Sequence, residues 1–460
     1  MIFAKSFTLT IFAILLLSFP SVSHSQDLFE EVVIDPSFNG AVDVTAVDMD
    51  SDGDLDIVAC GYSANMIVWY ENDNYSTFTR HTVATGFYEA YGICVDDFNG
   101  DGLIDIACAA WTANDIGVWF QQDDGTFSSI IIGEILHAHT VESVDIDADE
   151  DIDIIAAGAG TNPVRIYFND GSGSFTETSI DPGNYTSQSC KPVDIDNDGD
   201  IDILSNSYTN SRYQLFRNDG SASFTRETVG ASSGAHWATA ADINNDGDLD
   251  FLAASYASSD LIWYAQEDTN WVLNVIDSSF NGAVYCEAGD FDDDGDLDIV
   301  ATAEVGDKIA WYENDGNSNF TQNLIRTNYN GAASVCVVDF DGDDDLDVLS
   351  AAHQSDVVTW WRNTSTSSVE ESGYLTPDGF NILNVYPNPF NSTTTVTFTV
   401  SYPQDVVLNL FNTTGRKISE LVNSRMEPGT YSISIVAEDI SSGTYFISSR
   451  NDQKKIVYLK

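Results

Sequence analysis

Along the chain, short runs rich in β-branched and aromatic residues alternate with clusters of Gly, Asn and Asp, the pattern of strands separated by tight turns. The runs recur in a fixed order. A small-residue strand such as AVDVTAVD leads into an acidic loop, and a strand such as IVACGY leaves it. A third strand follows, seen as IVWYEND, IYFNDG, LFRNDG and AWYENDG, and a fourth opens on Phe or Trp, as in FTRHTVA, FTETSID and WVLNVID. Four strands per unit in a long even array predict the blades of a β-propeller.

The acidic loop sets the period. Its nine residues begin at Asp48, Asp97, Asp145, Asp194, Asp242, Asp290 and Asp339, so successive copies start 49, 48, 49, 48, 48 and 49 residues apart. The seventh unit stops after TWWRN at Asn363 without a fourth strand, and the missing copy, FEEVVID, stands at Phe29 to Asp35. Borrowing that strand would join the ends of the ring and leave no sheet edge open. The fold class expected is therefore all-β, a seven-bladed β-propeller with calcium loops followed by a small C-terminal β-sandwich domain. Its divisions are 1–25, 26–363, a linker at 364–380 and 381–460.

Composition narrows the partners. With 43% hydrophobic and 12% aromatic residues this is no disordered acidic tail, yet the formal charge is −56. A polyanion would be repelled, which removes nucleic acid from consideration. The first 25 residues read as an export signal: Lys5 supplies the positive end, Thr8 to Phe19 the apolar stretch, and Ser23 and Ser25 the small residues before Gln26. No later segment is long and apolar enough to span a membrane as a helix. The six cysteines, at 60, 94, 108, 190, 286 and 336, lie in apolar strands and read as small buried hydrophobes, although Cys94 and Cys108 flank one hairpin symmetrically.

The loops point to a hard divalent cation. Positions one, three, five and nine are Asp or Asn in every copy, and alternating carboxylates on a tight turn supply the oxygens that Ca²⁺ requires. The expected ligands are Asp48, Asp50, Asp52, Asp54 and Asp56 in the first loop and Asp97, Asn99, Asp101 and Asp105 in the second. Asp145, Asp147, Asp149 and Asp153 follow, then Asp194, Asp196, Asp198, Asp200 and Asp202. The last three loops offer Asp242, Asn244, Asp246, Asp248 and Asp250; Asp290, Asp292, Asp294, Asp296 and Asp298; and Asp339, Asp341, Asp343 and Asp347. Up to seven structural calcium sites are thus expected. Position six is Gly in five copies, with Glu150 and Asp344 as departures that predict a weaker site or a changed turn. An EF-hand is excluded, because it needs a bidentate Glu at position 12, where Ala59 and Cys108 stand, and then a helix.

These units resemble the FG-GAP/VCBS-type repeats of integrin-like propellers, and the resemblance implies calcium in the loop joining the first two strands of a blade. The opposite face is then the variable one. Tyr62, Trp111, Tyr208, Tyr256 and His353 occupy one repeat position there, and His139 and His236 another; they are the expected ligand-binding set, against the alternative that they only pack between blades. His137, His139, His236 and His353 are candidates for a transition-metal site against ordinary hydrogen bonding, and Glu142, Lys191 and Glu287 for either an inter-blade ion pair or a catalytic group.

The tail carries VYPNPFN at Val385–Asn391, LFNTTGRKISEL at Leu410–Leu421, SSGTYFIS at Ser441–Ser448 and a terminal KKIVYLK. It resembles the C-terminal sorting domain of type IX secretion substrates, which implies engagement of that machinery and an extracellular or outer-membrane surface location. No nucleophile elbow, phosphate loop or zinc-protease motif is present. The expected function is binding or adhesion to an extracellular polysaccharide or protein. The alternative is a propeller-based polysaccharide lyase or glycoside hydrolase, with Glu89, Glu304, His137 and His353 as its candidate groups.

Overall fold

The computed structural model describes residues 28–267 and 270–365, and in the tail 380–386, 393–400, 404–412, 416–426, 429–436, 443–448 and 453–458. The expected export signal at 1–25 and most of the linker lie outside the described residues. Two compact units divide at Ser367 and Ser368. Among the described residues there is no helix, and none long and apolar enough to cross a membrane.

The first unit contains seven antiparallel sheets, each built on four strands, which follow sequence order in all but the last. Ala41–Val47, Asp56–Gly61, Met66–Asp73 and Thr77–Thr85 form the first. Six of the seven second strands, such as Asp56–Gly61 and Asp347–Ala352, are buried throughout and the other is exposed only at its end, whereas the fourth strands are mostly exposed or half-buried. That gradient accounts for the composition of each strand: small and β-branched inside, Thr, Arg and Glu outside. The first strands contact one another in a cycle, each meeting the first strand of the next sheet and Ala332–Val338 returning to Ala41–Val47. The arrangement is that of a β-propeller with the first strands around its axis.

The last sheet takes its fourth strand from the start of the chain. Phe29–Asp35 pairs antiparallel with Val357–Asn363, setting Phe29 opposite Asn363 and Val32 opposite Trp360. Thr364 N donates to Leu28 O at 2.7 Å, which brings the two ends of the unit together. One sheet departs from the plan: Asn184–Thr186 adds a fifth strand by pairing with Asp153–Thr161.

All six cysteines are free, and Cys94 and Cys108 do not bridge their hairpin, where Cys94 faces Ala107 and Cys108 faces Ile93. In the second unit, Phe380–Tyr386, Thr393–Val400 and Gly429–Val436 form one sheet. Lys417–Met426, Gln404–Asn412, Gly443–Ser448 and Gln453–Tyr458 form the other. Val396, Phe398, Leu408, Leu410 and Ile447 from both sheets share one apolar cluster.

Candidate functional site

Each acidic loop is the turn between the first and second strands of a sheet, and all seven are built alike. The carboxylate at position one folds back on the turn, accepting from the backbone N–H of positions five and six at 2.7–3.2 Å in every copy, from Asp48 to Asp339. Position two is an apolar pin: Met49, Phe98, Ile146, Ile195, Ile243, Phe291 and Phe340 are all buried. Position nine anchors the hairpin. Asp56 and its equivalents each accept from the backbone N–H of the residue sixteen positions on, at 2.6–3.0 Å, among them Asn72, Asn169 and Asn363.

Glu150 and Asp344 correct the expectation of a changed turn. Their φ angles of 75° and 74° fall in the left-handed region with Gly102 at 85° and Gly53 at 100°, and their N–H groups make the same bonds to position one. The turn is imposed by the Asp145 and Asp339 carboxylates and the packed second residue, so these side chains accept the backbone strain instead of relieving it.

The donor set fits a hard divalent ion. In five loops, three carboxylates bring ligand atoms within 4.8 Å of one another: Asp48, Asp50 and Asp56; Asp145, Asp147 and Asp153; Asp194, Asp196 and Asp198; Asp290, Asp292 and Asp294; Asp339, Asp341 and Asp347. Asp292 Oδ1 and Asp341 Oδ1 are buried without a hydrogen-bond partner, an arrangement that costs free energy unless a cation meets them. Burial also lifts Asp56, Asp105, Asp153, Asp250, Asp298 and Asp347 to about 7, and Asp202 to about 6, against several backbone N–H donors that favour the charged form. Only oxygen ligands are offered, the set suited to calcium.

The other end of each sheet forms the mouth of the axial channel. Its side chains vary, but the backbone beneath them does not. Tyr62, Trp111, Tyr208, Tyr256, Glu304 and His353 each donate from N–H to a carbonyl at the entry to the first strand, at 2.8–2.9 Å, as in Tyr62 N to Gly40 O, the residue just before Ala41. Gly40 has φ 68°, and a Cβ there would lie 2.5 Å from Ser63 N, so both conformation and space require glycine.

All seven expected ligand-binding residues meet around this opening. Tyr62 packs edge-on to Tyr91 at 5.9 Å, Tyr91 lies 5.7 Å from Trp111 and 4.2 Å from His139, and Trp111 stacks on His137 at 4.7 Å. His139 continues to His236 at 5.7 Å, and His236 to Tyr208 and Tyr256 at 6.3 and 6.1 Å. His353 Nε2 donates to Glu304 Oε1 at 3.1 Å, and that bond holds the Glu304 carboxyl below its usual range. The histidines do not converge as a metal site: among the described residues, the clusters of three ligand atoms within 4.8 Å contain carboxylates alone.

Below the mouth the channel narrows to a neck lined by Val42, Asp43, Gly92, His139, His236 and Trp237, then opens into a chamber of about 470 Å³. Lys191 Nζ lies 3.5 Å from Glu142 Oε2 across two sheets, the inter-blade ion pair, and Glu142 keeps the ammonium charged. Glu287 accepts from Thr239 Oγ1 at 3.4 Å beside them.

Tyr91 shares the repeat position of His139 and His236 but was not among the expected ligand-binding residues; it touches three mouth rings, Tyr62, Trp111 and His139, an adjacency across sheets that the repeat position alone does not reveal. Sequence reasoning also missed the amide that ends each third strand. Asn169 Nδ2 donates to Ile152 O within its own hairpin and to Phe98 O, 2.7 Å away in a neighbouring sheet, and Asn363 does the same towards Leu346 O and Phe291 O. A repeat-aligned Asn or Gln sixteen residues after each loop was the available signal.

These features define a propeller of acidic-loop repeats joined to a separate β-rich tail. The FG-GAP-like repeat family matches residues 48–108, 97–156, 145–205, 194–253 and 290–350, more than half of the chain, and the protein belongs to that family. Residues 384–459 match the secretion system C-terminal sorting domain, so the protein is a type IX secretion substrate directed to the cell surface or the extracellular space. No curated protein matches the chain. Among solved structures it is similar to BBS1N, determined in complex with ARL6DN, at 11% identity and a TM-score of 0.52, covering 74% of this chain and 98% of that one. It is similar also to hydrazine synthase from Kuenenia stuttgartiensis, at 11% identity and a TM-score of 0.53, covering 71% and 97%. At such identities the likeness is one of fold.

Proposed function

We propose that this protein is a calcium-stabilised propeller that binds an extracellular polysaccharide or protein through the mouth opposite its acidic loops, after export by a signal at 1–25. The observation that carries the reading is the convergence of Tyr62, Tyr91, Trp111, His139, Tyr208, His236, Tyr256 and His353, from six different sheets, on one rimmed opening. Aromatic faces bury area at low entropic cost and suit sugar rings and peptide side chains. The loops' carboxylates would hold the ions, which supply fixed positive charge between strands and take no part in ligand chemistry.

A glycan and extracellular-protein array at millimolar calcium tests this, comparing the wild-type chain with Trp111→Ala. Binding without turnover, weakened in the variant, supports the reading. Turnover of a bound glycan would favour an enzyme built around the Glu304–His353 pair, and silence across the array would leave only a spacer role.

A further inference from the structure

The neck beneath the mouth has a more specific chemistry than the rim. Its formal charges are all negative: Asp43 and Glu304 line it, while the channel's one ammonium, Lys191, lies in the chamber below against Glu142. Asp43 is half-buried and lines the channel, and its oxygens accept the backbone N–H groups of Val44 and Ile93, each at 3.0 Å, with the Ser334 hydroxyl beside them. A carboxylate so enclosed without a cation is costly, and burial lifts Asp43 to about 7.

The two imidazoles add acceptors. His236 Nδ1 donates to Val284 O at 2.8 Å, leaving Nε2 as an acceptor. His139 is 5% exposed and lines the neck, and its Nε2 is buried with no hydrogen-bond partner. Both rings are held neutral, since burial pushes their pKa values down, to about 4 for His236. The walls are completed by Tyr91 and by Trp237 stacked on Tyr285 at 3.7 Å. Carboxylates, neutral acceptors and aromatic rings around a narrow passage favour an organic cation that donates hydrogen bonds and is attracted to ring faces within about 6 Å.

We propose that the neck receives an aliphatic ammonium group, of the kind a lysine side chain carries, seated between Asp43 and Glu304. The proposal rests on the mouth being the binding surface and names the group that anchors the ligand there. The neck is the tightest of the three spaces along the channel, below both the rim and the chamber in volume, so it suits a straight chain better than a sugar ring.

Calorimetry on the calcium-loaded protein tests it with n-butylammonium, n-butanol, glucosamine and Zn²⁺ as separate probes. Saturable single-site binding of n-butylammonium is expected, with n-butanol and glucosamine at least about tenfold weaker. Glu304→Gln and Asp43→Asn should each weaken it roughly tenfold to hundredfold, the range for losing a charged hydrogen-bond partner, at unchanged circular dichroism. Glu304→Gln at the rim keeps the test decisive if Asp43→Asn fails to fold. Equal binding of n-butanol, indifference to both substitutions, preference for glucosamine, or tight Zn²⁺ binding abolished by the same substitutions would each overturn the proposal. Macromolecular binding that survives on the array while n-butylammonium fails overturns this inference alone and leaves the mouth's role standing.

Discussion

The two faces of the propeller follow opposite rules. On the loop face, seven copies repeat one hydrogen-bonded turn almost atom for atom, so that even Glu150 and Asp344 adopt the conformation of the glycines they replace. On the mouth face the backbone bond is repeated but the side chain above it changes from Tyr62 to Trp111 to Glu304 to His353. Uniform positions serve the scaffold, where each sheet needs the same fastening. Varied positions on an invariant backbone are, in the function proposed above, the ones that serve recognition, with each sheet contributing a different contact.

The comparison breaks if the loop face does not govern stability. Chelation should therefore have the largest effect: several sites, each adding about 2.7 kcal/mol at a hundredfold excess of ion over Kd, imply a fall in Tm on the order of 10 °C or more in EDTA, read by calorimetry. An unchanged Tm would end the metal reading. The chelated protein should also respond to pH with a definite sign. Its ninth-position carboxyls titrate near 7 when folded, as Asp56 and Asp347 do, and near about 3.9 when unfolded, so the folded state binds more protons between those values. Stability in EDTA should then decline from about pH 4 to about pH 7 and level off above it, while calcium, competing with protons, reverses the slope.

Next in size is Asn363→Ala. Asn363 is 1% exposed and its amide bonds Phe291 O and Leu346 O, so its loss strands two buried carbonyls and should cost about 2–3 kcal/mol in denaturant unfolding. Trp111→Ala should move stability by less than about 1 kcal/mol, because its ring is half-buried at the rim, while ligand affinity falls roughly tenfold or more. The smallest effect sharpens the contrast within the loop face: Glu150→Gly and Asp344→Gly should each stabilise by about 0.5–1 kcal/mol by removing a side chain from a left-handed residue. A loss instead would mean that these carboxylates contribute to the site.

The propeller was legible in the sequence because its determinants are local and periodic. Nine-residue loops 48 or 49 residues apart, and the displaced strand FEEVVID, dictate both the sheets and their closure. The mouth was legible one residue at a time, since a repeat position tells which end of a sheet a side chain occupies. What the sequence could not give was adjacency across the opening. Tyr91 meets His139 at 4.2 Å through the packing of neighbouring sheets, and Asp43 reaches the Ile93 N–H from fifty residues away. Such pairings depend on the pitch of the ring, which no single repeat encodes. The turn at Glu150 shows the converse error, where intrinsic preference was outvoted by the Asp145 carboxylate.

Between most neighbouring sheets the polypeptide itself crosses, and separating them means stretching covalent backbone. At the last sheet the ring is completed by a strand from the other end of the unit, so six residue pairs between Phe29–Asp35 and Val357–Asn363, with their packing, hold it shut. A surface-displayed wheel under hydrodynamic drag would therefore have a mechanical fuse at this seam. Load applied along the seam's strands must shear the pairs together, whereas load across it can peel them one after another.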